Sequence, residues 1–295
     1  MNKKLAIYGI IGLLAGSAVT AVAIARSPKM QSKQETHHSH EHHMGMGENS
    51  HNHHHHQEQG QITESSQAKL TIPKAIAANQ NVTLGIDIQD NTGNAIAKFD
   101  TFQEKLMHLI VVSDDLQVFD HLHPTYKTNG HFEVDAKFPQ PGNYTLLGDY
   151  KPSGQSEQIS ILKAQVPGKT PATPVVNFNR SKIFGDTKVN LSLSQSQPKV
   201  SKEVTLIFNL QQTSNNQPVA DLQPYLGEKG HLVILKQSSP LTKADYIHAH
   251  AVKDSPSNQV QFITSFPRSG LYKLWGQFNR NGKIVTADFW VNVVN

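Results

Sequence analysis

Histidine is the residue whose number and spacing could do chemistry in this chain: there are 17 in 295 residues, and no cysteine. Neutral imidazole is the commonest metal-ligating side chain and suits Cu(II), Zn(II) and Ni(II). Without cysteine there are no thiolate ligands, so His, Met, Asp and Glu are the available donors. Ten of the histidines, His37, His38, His40, His42, His43, His51, His53, His54, His55 and His56, crowd one segment with Met44 and Met46 between them. Imidazoles at such local concentration bind Cu(II), Ni(II) or Zn(II) at neutral pH, and the two thioethers add affinity for Cu(I). A polar spacer with incidental metal affinity is the plainer reading of such a low-complexity tract.

Six more histidines are set by a repeat. Ala95 to His108 matches Pro218 to His231 without a gap, and Phe138 to Tyr150 matches Phe266 to Phe278 in the same way. Each copy keeps three histidines: His108, His121 and His123 in the first, His231, His248 and His250 in the second. His131 has no counterpart and reads as a solvated strand or loop residue.

The elements that must position these residues are strands. Short alternating runs such as VTLGIDIQ, MHLIVV, NYTLLGDY, VTLIFNL and LYKLWGQF are separated by Pro141-Gly142, Ser269-Gly270 and Asn281-Gly282. Their period of two and their β-branched and aromatic content predict antiparallel sheets. The fold class expected is all-β: two tandem immunoglobulin-like sandwiches behind an export segment and a disordered His-rich stretch. The boundaries are 1–25 for a signal peptide or membrane anchor, 26–67 for the His-rich segment, 68–167 for the first sandwich, 168–174 for a Pro-rich linker and 175–295 for the second sandwich.

On a hairpin from Met107 to His123, His121 and His123 share a face because they are two apart. A turn centred on Asp114-Asp115 would set His108 opposite His121, gathering three imidazoles on one side. In the second copy the spacing from His231 to His248 is longer, and a longer turn near Ser239-Pro240 would keep His231 opposite His248. Met107, Asp120 and Asp149 are further candidate ligands, and Asp149 is the best of them. The second copy has Gly230, Ile247 and Gln277 at those positions, so a site common to both copies would be built from histidine alone. Against the metal reading stands a structural one. The histidines share their face with Ile110, Val112 and Phe119, or with Val233, Leu235 and Tyr246, so they could be hydrogen-bonded residues at the end of a sandwich interior.

Lys3 and Lys4 followed by the uncharged apolar run Leu5 to Ala25, ending Ala23-Ile24-Ala25, predict export, with cleavage or retention as an anchor both open. The net charge of +4 is modest, and no basic stripe marks a nucleic-acid binder. Phosphate loops, HExxH and Gly-x-Ser-x-Gly are missing, and no acid, base or substrate pocket is readable, so an enzyme is not expected. DLQPYLG, Asp221 to Gly227, reads as a packed corner.

MHLIVV, FDHLHP and PGNYTLLGDY, followed by DLQPYLGEKGHLVIL and YIHAHA, resemble secreted bacterial proteins with tandem immunoglobulin-like modules of the YtkA-like kind. The resemblance runs from Lys69 to Asn295. It implies a sandwich fold, an envelope location and the company of copper-handling genes, and it carries no ligand set over. The second copy departs by HAHA where the first has HLHP. Two functions follow as expectations. One is an exported protein binding copper, or else zinc or nickel, for capture, buffering or trafficking. The other is an envelope module that binds a partner protein through its sandwiches, with packing histidines. Membrane contact is expected only through an uncleaved N-terminal segment.

Overall fold

Strand after strand in this chain alternates inward and outward side chains, and the computed structural model closes them into two β-sandwiches. It describes residues 65–295 apart from Ser257 and the His250 side chain. The segment expected to direct export, residues 1–25, and the ten tail histidines lie outside the described residues.

The first sandwich comprises β1 (Ser66–Thr71), β2 (Asn81–Asp90), β3 (Met107–Ser113), β4 (Phe119–Leu122), β5 (Thr125–Thr128), β6 (His131–Lys137), β7 (Gly142–Tyr150) and β8 (Gln158–Val166). The second comprises β9 (Ser181–Phe184), β10 (Thr187–Leu193), β11 (Glu203–Gln212), β12 (Leu222–Gln223), β13 (His231–Lys236), β14 (Tyr246–His250), β15 (Gln259–Ser265), β16 (Gly270–Arg280) and β17 (Lys283–Val293). In the first, sheet β1-β2-β6-β5 packs on sheet β4-β3-β7-β8. In the second, β15-β11-β10-β9 packs on a sheet in which β13 and β16 are central, β14 is one edge and β17 pairs with β16. The repeated segments thus build equivalent strands, β3 with β13, β4 with β14 and β7 with β16.

Each sandwich has its own core. Leu84, Ile86, Leu109, Val111, Phe132 and Leu146 fill the first, and Leu206, Phe208, Leu232, Ile234, Phe262 and Leu274 fill the second. A fully buried side chain of this size contributes roughly 1.5–3 kcal/mol. Both copies begin the strand after Phe-Pro-x-x-Gly with the same device. Gly142 and Gly270 sit at φ 140° and 126°, a region in which a β-carbon is strained. Two residues on, the Tyr144 and Tyr272 hydroxyls donate to the Gln140 and Arg268 carbonyls, each at 2.8 Å. This is the tyrosine corner of immunoglobulin-like sandwiches.

A third apolar cluster holds the two sandwiches together. Ile110, Val112, Leu116 and Leu147 of the first pack against Val233, Leu235, Leu241, Tyr246, Trp275 and Trp290 of the second. Phe119 stacks on Trp275 with ring centroids 4.7 Å apart and planes at 14°. Strand β3 is therefore buried on both faces. Met107, Leu109 and Val111 point into its own core, whereas His108, Ile110 and Val112 point at the other sandwich. The face shared by the histidines is the seam between the sandwiches, and neither interior contains it.

The hairpin register differs from the expected one by two residues. Ile110 is opposite His121 and Val112 opposite Phe119, so the ladder points His108 at His123 rather than His121. In the second copy His231 is opposite His250, and His248 is opposite Val233. The turn tightens around Leu116, whose φ is 56°, and Ser113 Oγ accepts from the Gln117 and Val118 N–H groups. This displaces the centre of the turn toward β4. A shift of two residues keeps every side chain on its face, so the histidines share a side despite the changed pairing.

Candidate metal centre

The histidines of both copies meet. His108 and His231 stack across the seam with centroids 5.7 Å apart and planes at 19°, and His121 lies 4.8 Å from His231. His231 and His248 are 4.3 Å apart by centroid. The expected pair of separate clusters is thus one seam of five imidazoles: His108, His121, His123, His231 and His248. His250 is on the backbone opposite His231, and its side chain is outside the described residues.

The strand neighbours complete the site by crossing over. Asp149 on β7 is paired with His108, and its counterpart Gln277 on β16 is paired with His231. Both side chains point into the seam and reach the opposite sandwich. Asp149 Oδ2 is 3.3 Å from His248 Nδ1, and Gln277 Oε1 is 2.7 Å from His121 Nδ1. Tyr246 adds a hydroxyl that donates to Asp149 Oδ2 at 3.1 Å. The two halves exchange partners like an isologous dimer interface, here within one chain.

A tight turn before each central strand supplies more acceptors. Gln103 and Glu104 have φ 46° and 63°, Leu226 and Gly227 have φ 55° and 80°, and Phe102 and Tyr225 begin the two turns. Positive φ at both central residues is the type I′ geometry that suits the twist of a hairpin. The first turn brings the Phe102 carbonyl oxygen to 3.2 Å from His108 Nε2, and Gln103 Oε1 to 2.5 Å from His231 Nε2.

The Phe102 carbonyl places one of the ring protons. A carbonyl oxygen only accepts, so neutral His108 carries its proton on Nε2 and a lone pair on Nδ1. The Gln277 side-chain amide lies 2.7 Å from His121 Nδ1 and serves either tautomer of that ring, its oxygen as acceptor or its NH2 group as donor. His108 Nδ1 and His121 Nε2 face each other at 3.0 Å. His123 joins them, its ring 5.2 Å from His108 and 4.7 Å from His121 by centroid, and its buried Nε2 has no hydrogen-bond partner among the described residues. One nitrogen from each of His108, His121 and His123 lies within 4.8 Å of the others. On the other side His248 Nδ1 lies 3.3 Å from Asp149 Oδ2, and its Nε2 lies 2.7 Å from His231 Nε2.

Burial, reinforced by neighbouring imidazoles, pushes His121 well below the usual histidine range. Burial also takes His123 down to about 4, with His108 and Lys105 adding to the effect. His248 is lowered to about 4 by burial, against the pull of Glu157. Burial raises Asp149 to about 7, opposed by Glu157 and Tyr246. The centre therefore offers neutral imidazole nitrogens at neutral pH, the form that ligates metals.

His131 stands apart, on β6, with Nδ1 2.7 Å from Asp87 Oδ1 and Nε2 3.4 Å from Glu133 Oε1, at the surface. Met107 is fully buried in the first core, away from the histidine face. Asp120 bonds the His121 backbone N–H at 2.9 Å. Sequence reasoning passed over Gln103, Glu157, Tyr246 and Gln277. One signal was legible: Asp149 and Gln277 are polar at equivalent places, each between a glycine and an aromatic residue, in YTLLGDY and YKLWGQF.

A family model for a domain of unknown function, DUF8832, matches residues 61–165 and 182–295. The chain belongs to that family. Its two DUF8832 repeats coincide with the two immunoglobulin-like sandwiches, and no curated protein matches the chain. Among solved structures the DUF8832 pair is similar to the Escherichia coli adhesin FdeC at 14% identity, over 78% of this chain and 65% of that one, with a TM-score of 0.26. It is also similar to a Salmonella alpha-2-macroglobulin mutant at 14% identity, over 78% of this chain and 15% of that one, with a TM-score of 0.26. For elastase-activated alpha-2-macroglobulin from Escherichia coli the values are 15%, 78%, 20% and 0.28. The matched span is less than two thirds of each of these chains.

Proposed function

We propose that the chain is an exported cell-envelope protein of YtkA-like character that takes up copper, or else zinc or nickel, at the histidine centre between its sandwiches. The tail histidines would act as the capturing segment. The observation that carries this reading is the convergence of three imidazoles: one ring nitrogen from each of His108, His121 and His123 lies within 4.8 Å of the others, and His108 Nδ1 is 3.0 Å from His121 Nε2. Burial opposes protonation of His121 and His123, so their ring nitrogens are available to a cation. His108, His121 and His123 would hold the ion, an all-nitrogen donor set that suits Cu(II) above the other first-row divalent ions. Bound there, the ion supplies a fixed positive charge linking β3 to β4, and no substrate or reaction is needed to explain the arrangement.

The test is titration with Cu(II) and Zn(II) of a full-length chain whose ten tail histidines are replaced by serine. One ion per chain should bind at the triad, and His121→Ala should weaken it by about 10-fold or more, the scale seen when site geometry is lost. If the tail-substituted chain binds neither metal, the five histidines are a hydrogen-bonded seam, and the protein is an interaction module of two fused sandwiches.

A further inference from the structure

The seam contains a second group of donors, apart from the triad. Asp149 is fully buried, and His248 is nearly so, with its side chain 7% exposed. Glu157 is exposed at the end of the connection from β7 to β8. One ligand atom from each of Asp149, Glu157 and His248 lies within 4.8 Å of the others. The 3.3 Å between His248 Nδ1 and Asp149 Oδ2 is close to the spacing of neighbouring ligands around a tetrahedral ion with bonds of ~2.0–2.1 Å. Asp149 Oδ1 is buried and, the neighbouring Glu157 carboxyl apart, has no hydrogen-bond donor among the described residues. With both carboxyls ionised, two negative groups meet beside that oxygen, and only a proton shared with Glu157 or a cation can satisfy it.

We propose that Asp149, Glu157 and His248 form a second cation site for a divalent ion of the Zn(II) or Co(II) class, held by one imidazole nitrogen and two carboxylate oxygens. The donor set differs from the triad's in kind, because carboxylate oxygens are harder than imidazole and suit zinc-like ions better than Cu(I). The position differs as well. Asp149 and Glu157 belong to the first sandwich and His248 to the second, so an ion here ties the two together directly. Glu157 gives it an opening to solvent, whereas Asp149 and His248 lie inside. Tyr246, by donating to Asp149 Oδ2, orients the carboxylate. The proposal stands whether or not the triad holds metal.

Co(II) chloride is the probe, titrated into the full-length chain carrying the ten tail substitutions and followed by equilibrium dialysis and visible absorption. Glu157→Gln and Asp149→Asn should each remove one bound Co(II) per chain, or weaken it by about 100-fold, the upper range for disturbed metal sites. His121→Ala should leave that ion in place. Glu157→Gln changes an exposed side chain, and an unchanged circular dichroism spectrum and Tm without metal will verify its fold. Equal Co(II) binding by Glu157→Gln and the parent overturns the proposal. Loss in Asp149→Asn alone overturns it too, because Asp149 would then only orient His248. Loss of the ion in His121→Ala, with Glu157→Gln unaffected, places the metal at the triad alone. A parent that binds no Co(II) removes both sites.

Discussion

At the scale of single residues, the seam is controlled by the groups that hold the imidazole rings in place. Gln277 is the clearest case, since its side-chain amide engages His121 Nδ1 at 2.7 Å and leaves Nε2 facing His108. Gln277→Leu leaves a buried ring nitrogen of His121 without its partner and should destabilise the protein by about 1–3 kcal/mol. It should also lower metal affinity by about 10–100-fold, whereas Gln277→Glu keeps an acceptor and should lose less. Urea denaturation and metal titration check the two effects separately. Protonation gives a second expectation. His121, His123 and His248 all have folded pKa values below the ordinary 6.5, two of them about 4. The unfolded chain therefore binds more protons between those limits, and their contribution to stability is lost as pH falls from 6.5 toward 4. Asp149, raised to about 7, works in the opposite direction, as does His131, raised by its hydrogen bond to Asp87. Three buried histidines outweigh one buried carboxyl and one surface histidine. The metal-free protein should thus denature at lower urea at pH 5 than at pH 7.5, by on the order of 1.4 kcal/mol per pH unit for each uncompensated group.

At the scale of elements, the strands carrying the histidines are fixed by what lies on both of their faces. In β3 a slip of one residue would move His108 into the core among Leu84 and Phe132 and push Leu109 into the polar end of the seam. That register is excluded by burial alone, while a slip of two is governed only by the turn, which is why the expected pairing was off by that amount. The corner before β7 and β16 fixes those strands independently. Tyr144→Phe or Tyr272→Phe removes one hydroxyl bond to a main-chain carbonyl and should cost about 1 kcal/mol each. The effect should be similar in the two copies, since the distances are equal at 2.8 Å, and paired chemical denaturation curves will show it.

At the scale of the whole molecule, the third apolar cluster makes two domains behave as one. Its members come from both sandwiches, and the histidine seam continues the same surface. Heating should therefore give a single cooperative transition. Val233→Asp places a charge in the middle of that cluster and should split the transition into two, which calorimetry will resolve. Metal present at 100 times its Kd should raise the stability of the intact pair by about 2.7 kcal/mol. In Val233→Asp with the tail histidines substituted, Zn(II) held by the triad should raise the transition of the first sandwich, which carries His108, His121 and His123.

Much of this was settled along the chain itself. Alternation with period two, turn residues such as Pro141-Gly142, and the repeat determined the sandwiches, their number and the common face of His108, His121 and His123, because each is a local property of backbone geometry. Within MHLIVV the four residues after His108 are all apolar, so β3 presents an apolar side chain on both faces. Only the tertiary structure decided what lay on the second side. The two histidine faces were expected to be separate, and they are joined because each sandwich leaves an apolar surface that the other covers. Gln277 looked like the loss of a ligand beside Asp149, yet it proves to be the partner of His121, since crossing contacts between distant strands depend on how two sheets dock. Residue period is written in neighbouring positions, whereas docking is written in the shape and polarity of two whole surfaces.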